Sequence, residues 1–426
     1  MGILLFLILL MTYFILGVPV AFAIGLVPIT LMMLQGSLGN FSIIAQRTLY
    51  GIDSFVLIAI PFFLFTGRIM NSGGITKRIF KFARSLVGHF KGGLGHVNII
   101  ASLIFSGITG TASSDVAGLG AVEIKAMEDA GYESGVAAAI TAASATVGPI
   151  IPPSIPLVIY GVLAGVSVGR LMIGGIIPGI LTGLVLMIMV SYYAHTRDYP
   201  RDVKMSFKEI LQSFIEAFSA LLTPVILIGG IFSGQFTPTE AAAVAALYSV
   251  IISLILGEVS IKEIWQCAKG SAVDSAVIGI IVSSAALFGW LLIRLRIPIV
   301  ILEFLTTFSD SKFVILLLLN VFLLFIGCFL ETVAALTILV PILAPILPTI
   351  GIDPLHFGLI MVFNLMIGLL TPPFGLNLYI LNKITNIPLE KLVKYLIPWL
   401  LALLFILIIL NLFPGIVTFL PTFFMG

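Results

Sequence analysis

Residues 148–156 read Gly-Pro-Ile-Ile-Pro-Pro-Ser-Ile-Pro, so four prolines fall within nine residues of an otherwise apolar segment, 135–165. A proline inside a helix removes one backbone hydrogen bond and clashes with the preceding turn. The segment therefore predicts a helix that unwinds part-way along its length. A simple kink at one proline is the alternative interpretation.

A second break of the same kind lies 220 positions further along the chain. Residues 368–377 read Gly-Leu-Leu-Thr-Pro-Pro-Phe-Gly-Leu-Asn, and the 220-residue shift superposes the Pro-Pro pair and the glycine before it in both breaks. The coincident residues are helix breakers, which ordinary apolar sequence would not align at one offset. We therefore interpret the chain as two similar halves, 17–196 and 237–394.

The composition places both halves in a membrane. The chain has 426 residues, of which 60% are hydrophobic and 9% charged, and its mean hydropathy is +1.23. A soluble domain is roughly 25% charged, so this class is excluded. At about 20 residues for each spanning helix, we expect an all-α polytopic membrane protein with roughly ten to fourteen membrane segments.

Several functional classes are excluded by the same inventory. A net charge of +2 argues against a nucleic-acid partner. The two cysteines form no Cys-x-x-Cys pair, and the four histidines show no metal-ligand spacing. No phosphate-binding loop and no Gly-x-Ser-x-Gly motif occurs in the sequence. We expect no ATP hydrolysis, no catalytic residues and no organic cofactor; an anion channel and an intramembrane enzyme remain as rival classes.

Length separates spanning helices from shorter segments. Two stretches, about 94–127 and about 313–349, are short or interrupted and predict re-entrant helical hairpins, an inner and an outer one. They accompany the two unwound helices predicted over about 135–165 and about 355–381. The remaining predicted units are an N-terminal helix at 1–16, a connecting loop and helix at 197–236, and a C-terminal helix at 395–426.

Positive charge orients the two halves. Residues 68–96 carry six basic residues and no acid, which marks this loop as cytoplasmic. Counting crossings places 196–209 and 383–394 on the same side, 288–316 outside, and Met1 outside. The halves are then inverted relative to each other. Inverted repeats with broken helices are typical of secondary transporters, whose binding sites lie near the membrane midplane.

The sequence Phe-Ser-Gly-Ile-Thr-Gly-Thr-Ala-Ser-Ser-Asp at 105–115 predicts the tip of the inner hairpin. Irregular backbone is tolerated at membrane depth only where it is buried in protein or lines a cavity. Freed carbonyls and the hydroxyls of Ser106, Thr109 and Thr111 suit Na⁺, while helix N-termini suit an anion. The alternative is a helix interface of small residues.

Acidic residues elsewhere have a simpler interpretation. Glu331 follows a long apolar run, so it is functional, pairs with a basic residue, or caps the second arm of the outer hairpin. Asp53 and Asp274, which match at a shift of 221, predict helix N-caps. The sequence Thr237-Pro-Thr-Glu240 predicts a capping box.

Five motifs in this order resemble the large membrane subunit of TRAP transporters, the tripartite ATP-independent periplasmic transporters of bacteria. They are GVPVAFAIG (17–25), FSGITGTASSD (105–115), GPIIPPSIP (148–156), FTPTEAAAVA (236–245) and LLTPPFGLN (369–377). The resemblance implies a subunit of a sodium-driven importer in the bacterial inner membrane, with an elevator-type fold. Its substrate would be a small organic anion such as a C4-dicarboxylate, sialic acid, or another sugar or keto acid.

The resemblance also implies partners and site residues. The partners would be a periplasmic substrate-binding protein and a small four-helix membrane subunit on a separate chain; a stand-alone anion transporter or channel is the alternative. The sodium ligands would come from Ser106, Thr109, Gly148, Gly327, Cys328, Gly368 and Thr371. The substrate contacts would come from Thr111, Ser113, Ser114, Asp115, Pro153, Ser154 and Asn377. No metal other than Na⁺ is implied.

Overall fold

The structure, a computed structural model, describes residues 2–34, 41–72, 74–109 and 112–426. Within these ranges the regular structure is helical and contains no β-strand. Seven of the described helices are long and apolar enough to cross a bilayer, and several shorter apolar helices accompany them. The prediction of an all-α polytopic membrane protein is confirmed.

The helices follow one another in four runs. The first run is α1 (Gly2–Ile15), α2 (Val20–Leu34), α3 (Phe41–Ile52), α4 (Ala59–Ser72) and α5 (Ile75–Val87). The second is α6 (Gly93–Thr109), α7 (Ala112–Gly118), α8 (Gly120–Asp129), α9 (Ser134–Ala145), α10 (Ile155–Ala164), α11 (Val168–Gly174) and α12 (Ile176–Thr196). The third is α13 (Phe207–Phe232), α14 (Pro238–Ile255), α15 (Ile261–Arg294) and α16 (Ile297–Phe308). The fourth is α17 (Lys312–Phe329), α18 (Thr332–Leu343), α19 (Pro354–Gly368), α20 (Leu376–Thr385), α21 (Leu389–Leu412) and α22 (Gly415–Met425).

Capping boxes begin three of the long helices. In each box the hydroxyl of the N-cap residue accepts the amide of the third helical residue, whose glutamate in turn accepts the N-cap amide. The pairs are Ser206 with Glu209 at α13, Thr237 with Glu240 at α14, and Ser260 with Glu263 at α15. The capping box predicted from Thr237 to Glu240 is therefore confirmed.

Six helices, α2, α3, α4, α13, α14 and α15, form what we call the long-helix group. The α15 helix has 34 residues, about 51 Å at roughly 1.5 Å per residue, and packs against α2, α3 and α4. Small residues let the helix backbones approach closely. A Cβ atom added at Gly51 of α3 would lie 2.6 Å from the Cβ of Ala286 on α15.

The helices α6–α12 and α17–α22 form what we call the broken-helix group. Its centre is α9 and α19, which are buried on all sides from Gly135 to Ala145 and from Leu355 to Gly368. A helix that is apolar all round belongs in the middle of a helical assembly. Around them pack α6, α8, α17 and α21, and the ring of Trp399 on α21 stacks on Tyr193 of α12 at 5.7 Å.

Both predicted breaks interrupt their helices. The α9 helix ends at Ala145 and α10 begins at Ile155, while α19 ends at Gly368 and α20 begins at Leu376. These gaps exceed what a simple proline kink produces. A shift of 220 residues carries Ser134–Ala145 onto residues that lie within α19.

Five basic residues of the predicted cytoplasmic loop form ion pairs with neighbouring elements. The pairs are Arg68 with Asp274, Arg78 with Glu258, Lys81 with Glu216 (2.6 Å), Arg84 with Asp202 (2.6 Å) and Lys91 with Asp198 (2.6 Å). The hydrogen bond from Lys91 lowers the pKa of Asp198. Exposed pairs stabilise a fold only weakly. Four of the five pairs involve α5 or the loop that follows it, and these four connect this region to its neighbours.

Three expectations about helix ends need correction. Asp274 is not an N-cap: it lies in the middle of α15 and pairs with Arg68, because α15 continues through the polar stretch where a helix start was expected. Ser54, rather than Asp53, takes the N-cap position of the 3-10 turn Phe55–Ile58. The single C-terminal helix expected over 395–426 is two helices, α21 and α22.

The backbones of Gly327 on α17 and Gly368 on α19 lie in close contact. A Cβ added at Gly368 would lie 2.6 Å from the Cα and carbonyl carbon of Gly327, both backbone atoms that cannot rotate away. We expect Gly368→Ala to lower the stability of the protein by about 1–3 kcal/mol or more. The measurement is the thermal unfolding midpoint of the detergent-purified protein.

The matched control is Gly279→Ala on α15, where an added Cβ meets no atom within 4 Å. Alanine favours a helix over glycine by up to about 1 kcal/mol, so this variant should unfold at the same temperature or higher. Equal midpoints for the two variants would contradict the close contact between α17 and α19.

Candidate functional site

The second break meets the inner hairpin at a polar contact. Ser113 of α7 donates a hydrogen bond from Oγ to Oδ1 of Asn377, 2.9 Å away. The two residues are 264 positions apart and belong to different halves of the chain. The contact therefore joins a predicted hairpin residue to a predicted break residue, both among the expected substrate contacts.

Asn377 is fixed by its backbone and buried, but its side-chain NH₂ group has no hydrogen-bond partner. It lies in the first turn of α20, its side chain is fully buried, and its backbone N–H donates to the carbonyl of Leu369 at 3.1 Å. Its side-chain Nδ2 has no hydrogen-bond partner. Buried polar groups are nearly always paired in native proteins, so this amide is suited to a ligand with an oxygen acceptor.

Apolar contacts bring both hairpins to the second break. Ala112, Met366 and Leu369 form one buried cluster beside the Ser113 contact. On the other side, the rings of Phe329 and Phe374 lie 5.2 Å apart, at the end of α17 and within the second break. Both hairpins therefore contact the second break.

The predicted sodium ligands of the outer hairpin and the second break lie close together. Gly327 and Gly368 are in backbone contact, and Cys328 follows directly in α17. The Cys328 thiol donates to the carbonyl of Leu324 at 3.1 Å, and the Thr371 hydroxyl donates to the carbonyl of Ile367 at 2.8 Å. Each of these two side chains therefore hydrogen-bonds to the carbonyl four residues earlier in the chain.

Glu331 caps the second arm of the outer hairpin. Its Oε2 accepts the backbone N–H of Val333 at 2.8 Å and that of Ala334 at 3.3 Å. Of the interpretations that the sequence left open, the structure shows the capping one. A carboxylate at this position favours the start of α18.

The first break is closed by its own serine. The hydroxyl of Ser154 donates to the carbonyl of Pro149 and accepts the backbone N–H of Leu157 at 3.2 Å, so that it caps α10. Ser154, Pro153 and Gly148 are all buried. The structure therefore places these three predicted site residues inside the broken-helix group.

Part of the inner hairpin tip lies outside the described residues. Thr111 is not described, and nothing is stated about the side chains of Ser106, Thr109 and Ser114. Asp115, the remaining predicted contact, is buried on α7 with 4% of its surface exposed.

Sequence reasoning missed a buried polar network behind the inner hairpin. The side-chain NH₂ of Asn98 donates to Glu123 Oε2 at 2.7 Å and to Thr141 Oγ1 at 2.8 Å. Ser144 donates to Asn98 Oδ1 at 2.6 Å and accepts from Ser102 at 3.1 Å. An acid twenty-five positions after an asparagine carries no local pattern, so only the fold reveals the pairing.

A second network lies behind the outer hairpin. Asn364 of α19 donates from Nδ2 to Asn320 of α17, at 2.7 Å to Oδ1 and 3.0 Å to the carbonyl. Asn320 donates in turn to Oδ1 of Asn411 at 2.9 Å. Asn364 lies 220 positions after Ser144, so both halves join the first hairpin arm to the central helix by buried polar groups.

The arrangement is suited to binding rather than to catalysis. Ser113 bonds to an amide, which cannot act as the base that a nucleophilic serine requires. In the part of the chain that the structure describes, no three His, Cys, Asp or Glu residues gather where they could hold a metal ion. What remains is a buried amide donor in the first turn of α20, next to a helix break.

Comparisons with known proteins agree with the motifs. A family model described as "Tripartite ATP-independent periplasmic transporter, DctM component" matches residues 7–416. The "Sialic acid TRAP transporter large permease protein SiaM" of Vibrio cholerae is 46% identical over 412 residues, which cover 96% of each chain. The "C4-dicarboxylate TRAP transporter large permease protein DctM" of Pseudomonas aeruginosa is 38% identical over 370 residues, 87% of each chain.

The chain also resembles a longer permease and two solved transporter structures. The "Sialic acid TRAP transporter permease protein SiaT" of Haemophilus influenzae is 39% identical over 409 residues, which cover 95% of this chain and 66% of that protein. The YdaH transporter of Alcanivorax borkumensis shares the fold with a TM-score of 0.61 at 17% identity, over 87% of each chain. MtrF of Neisseria gonorrhoeae has a TM-score of 0.59 at 14% identity, over 88% of this chain and 85% of its own.

The two structural likenesses extend to the fold alone, whereas the family model and the curated relatives cover nearly the whole chain. The relatives are transporter permease subunits and not enzymes. The chain therefore belongs to the DctM component of the tripartite ATP-independent periplasmic transporters, as its motifs indicate.

Proposed function

We propose that this permease takes up a small organic anion across the bacterial inner membrane by sodium-coupled secondary transport. The observation that carries the proposal is the contact between Ser113 and Asn377, with the free amide donor of Asn377 beside it. In this proposal the anion's carboxylate accepts from that amide. The α20 N-terminus, whose dipole favours negative charge, adds to the attraction.

Sialic acid is the substrate that we propose to test first. The relative that is 46% identical is named for sialic acid, and relatives at 38% and 36% are named for C4-dicarboxylates and 2,3-diketo-L-gulonate. All three substrates are carboxylates. A single amide donor suits this shared group, and the rest of the substrate would be distinguished by residues around it.

Sodium ions would bind where the breaks free backbone carbonyls. The close contact between Gly327 and Gly368 brings two chain segments together at the second break. In the first break, Gly148 likewise stands four residues before the Pro-Pro pair. Na⁺ is a hard cation that prefers oxygen ligands, and unwound helices in membrane transporters supply them. Ser106, Thr109, Cys328 and Thr371 would complete these sites.

Transport would move the broken-helix group against the long-helix group in an elevator-type motion, with the two halves of the chain inverted relative to each other. A cavity of about 990 Å³ between the two groups supports this division. It is lined by Tyr50 and Gly289 of the long-helix group and by Gly161 and Pro341 of the broken-helix group. Small residues on both walls would let the surfaces slide past each other.

Two partners complete the proposed transporter. The family's tripartite description supports a periplasmic binding protein that delivers the anion and a small four-helix membrane subunit that binds the long-helix group. Exposed apolar side chains on α15, such as Val273 and Val277, offer surface for lipid or for that subunit.

Uptake into liposomes tests the proposed function as a whole. The chain with its small subunit, reconstituted together with the binding protein outside, should accumulate labelled sialic acid when Na⁺ is higher outside than inside. Uptake that ignores the Na⁺ gradient would contradict the coupling. A non-saturating anion current without binding protein would instead support a channel.

The amide of Asn377 is tested by a change of charge. Asn377→Asp removes the donor and places a carboxylate against the anion, so the KM for the anion should rise roughly 10- to 100-fold, as expected for a lost hydrogen bond to a charged group of about 1.5–3 kcal/mol. Gln235→Glu, the same chemical change on the exposed α13–α14 loop, is the control. Equal KM values for the two variants would remove Asn377 from the substrate site.

The sodium site at the second break is tested by two matched threonines. Thr371 and Thr385 each donate from Oγ1 to the carbonyl four residues earlier, at 2.8 Å. Only Thr371 lies in the break. We expect Thr371→Ala to raise the half-saturating Na⁺ concentration severalfold, since one oxygen ligand is lost, and Thr385→Ala to leave it unchanged. The same Na⁺ titration for both variants would sink this assignment.

A further inference from the structure

Glu123 is a buried carboxyl group that the proposed transport site does not use. It lies on α8 with 3% of its surface exposed. Its Oε2 accepts one hydrogen bond from Asn98, 2.7 Å away, and its Oε1 has no hydrogen-bond partner. Most buried side-chain polar atoms in native proteins are paired, so the lone oxygen calls for an explanation.

The groups packed around Glu123 do not neutralise a negative charge. α8 packs against α6, α7 and α9, and α9 carries no titratable side chain. α7 contributes Asp115, which faces Glu123 as a second acid. On α6, the Nε2 atom of His96 lies 3.3 Å from the hydroxyl of Ser191, so His96 is engaged elsewhere. On α8 itself, Nζ of Lys125 forms an ion pair with Oδ1 of Asp129 at 2.7 Å.

An ionised Glu123 would therefore be costly. A buried charge needs a partner or several hydrogen bonds, and Glu123 has one neutral donor. A neighbouring acid adds repulsion. In the described part of the chain, no basic side chain forms an ion pair with Glu123.

The surrounding atoms suit a proton better than a metal ion. Asn98 turns its NH₂ group, not its oxygen, toward Glu123 and Thr141. The Asn98 oxygen already accepts from Ser144. Na⁺ requires several oxygen ligands, whereas a proton on Oε1 neutralises the carboxyl group without any further ligand.

We propose that Glu123 is a proton-binding site of the inner hairpin, occupied when α8 is packed against α9. The proton sits on Oε1, and Oε2 continues to accept from Asn98. The proposal does not depend on sodium coupling or on the identity of the transported anion. It makes the packing of the hairpin sensitive to alkaline pH.

The sign of this sensitivity follows from the two states of the protein. In the unfolded chain a glutamate is ionised above about pH 4.3, whereas in the packed hairpin Glu123 holds its proton. The folded state then carries one more proton than the unfolded state, so stability falls as the pH rises above this value. The decline ends where Glu123 loses its proton in the folded protein.

Infrared spectroscopy of the purified protein tests the proposal directly. A protonated carboxyl group has a carbonyl band that is separate from the bands of a carboxylate. At pH 7 the wild-type protein should show such a band, which Glu123→Gln lacks and the control Glu128→Gln, on the same helix, retains. Identical spectra for all three proteins in this region would overturn the proposal.

Thermal unfolding gives a second measurement. The unfolding equilibrium constant of the wild type should rise up to tenfold per pH unit relative to that of Glu123→Gln, as one proton requires. Parallel pH curves for the two proteins would contradict the site. Should Glu123→Gln not fold, ¹³C-glutamate labelling reads the same band. A label-shifted protonated band at pH 7 that persists in Glu331→Gln, which removes the glutamate that caps α18, supports the proposal. The absence of such a band overturns it.

Discussion

An interrupted helix leaves backbone N–H and C=O groups without partners, and the interior of a bilayer offers none. Both interruptions in this chain accordingly contain hydrogen bonds of their own. The first is closed by Ser154, which bridges Pro149 and Leu157, and the second by the bond from the backbone of Asn377 to Leu369. The central helices α9 and α19, buried on all sides, hold these breaks inside the broken-helix group. The hairpins, the long-helix group and the site are arranged around this requirement.

The two halves satisfy the same requirement with different chemistry. Behind the inner hairpin, Asn98 binds Glu123 and accepts from Ser144, whereas behind the outer hairpin Asn364 binds Asn320. The breaks also differ in exposure. The Pro-Pro pair at 152–153 is buried, and the pair at 372–373 is exposed. The second break is thus the more accessible one, and it is the break that both hairpins contact.

Features set by local chemistry were predictable from the sequence. The proline-rich breaks, the short hairpins and the capping box at Thr237 depend on residues within a few positions of one another, and a glycine-proline pattern repeated at one offset located both breaks. Features that depend on distant partners were not predictable. Asp274 resembled a helix start because its neighbours are polar, yet its role follows from Arg68, 206 positions away. The environment of Glu123 likewise depends on Asn98 and Asp115, which no local pattern connects to it.

In the proposed mechanism, the broken-helix group moves as one body against the long-helix group and carries the site with it. Spin labels at Lys125 of α8 and Lys262 of α15, both exposed, measure the distance between the groups, while labels at Lys125 and Lys383 of α20 measure a distance within the moving body. The native Cys267 is first replaced, whereas Cys328, which is buried in α17 and is a proposed sodium ligand, is kept. We predict that a change from Na⁺-free to Na⁺- and substrate-saturated conditions alters the distribution of distances between Lys125 and Lys262. The distance between Lys125 and Lys383 should stay the same. A fixed first distance, or equal changes in both, would contradict the proposed mechanism.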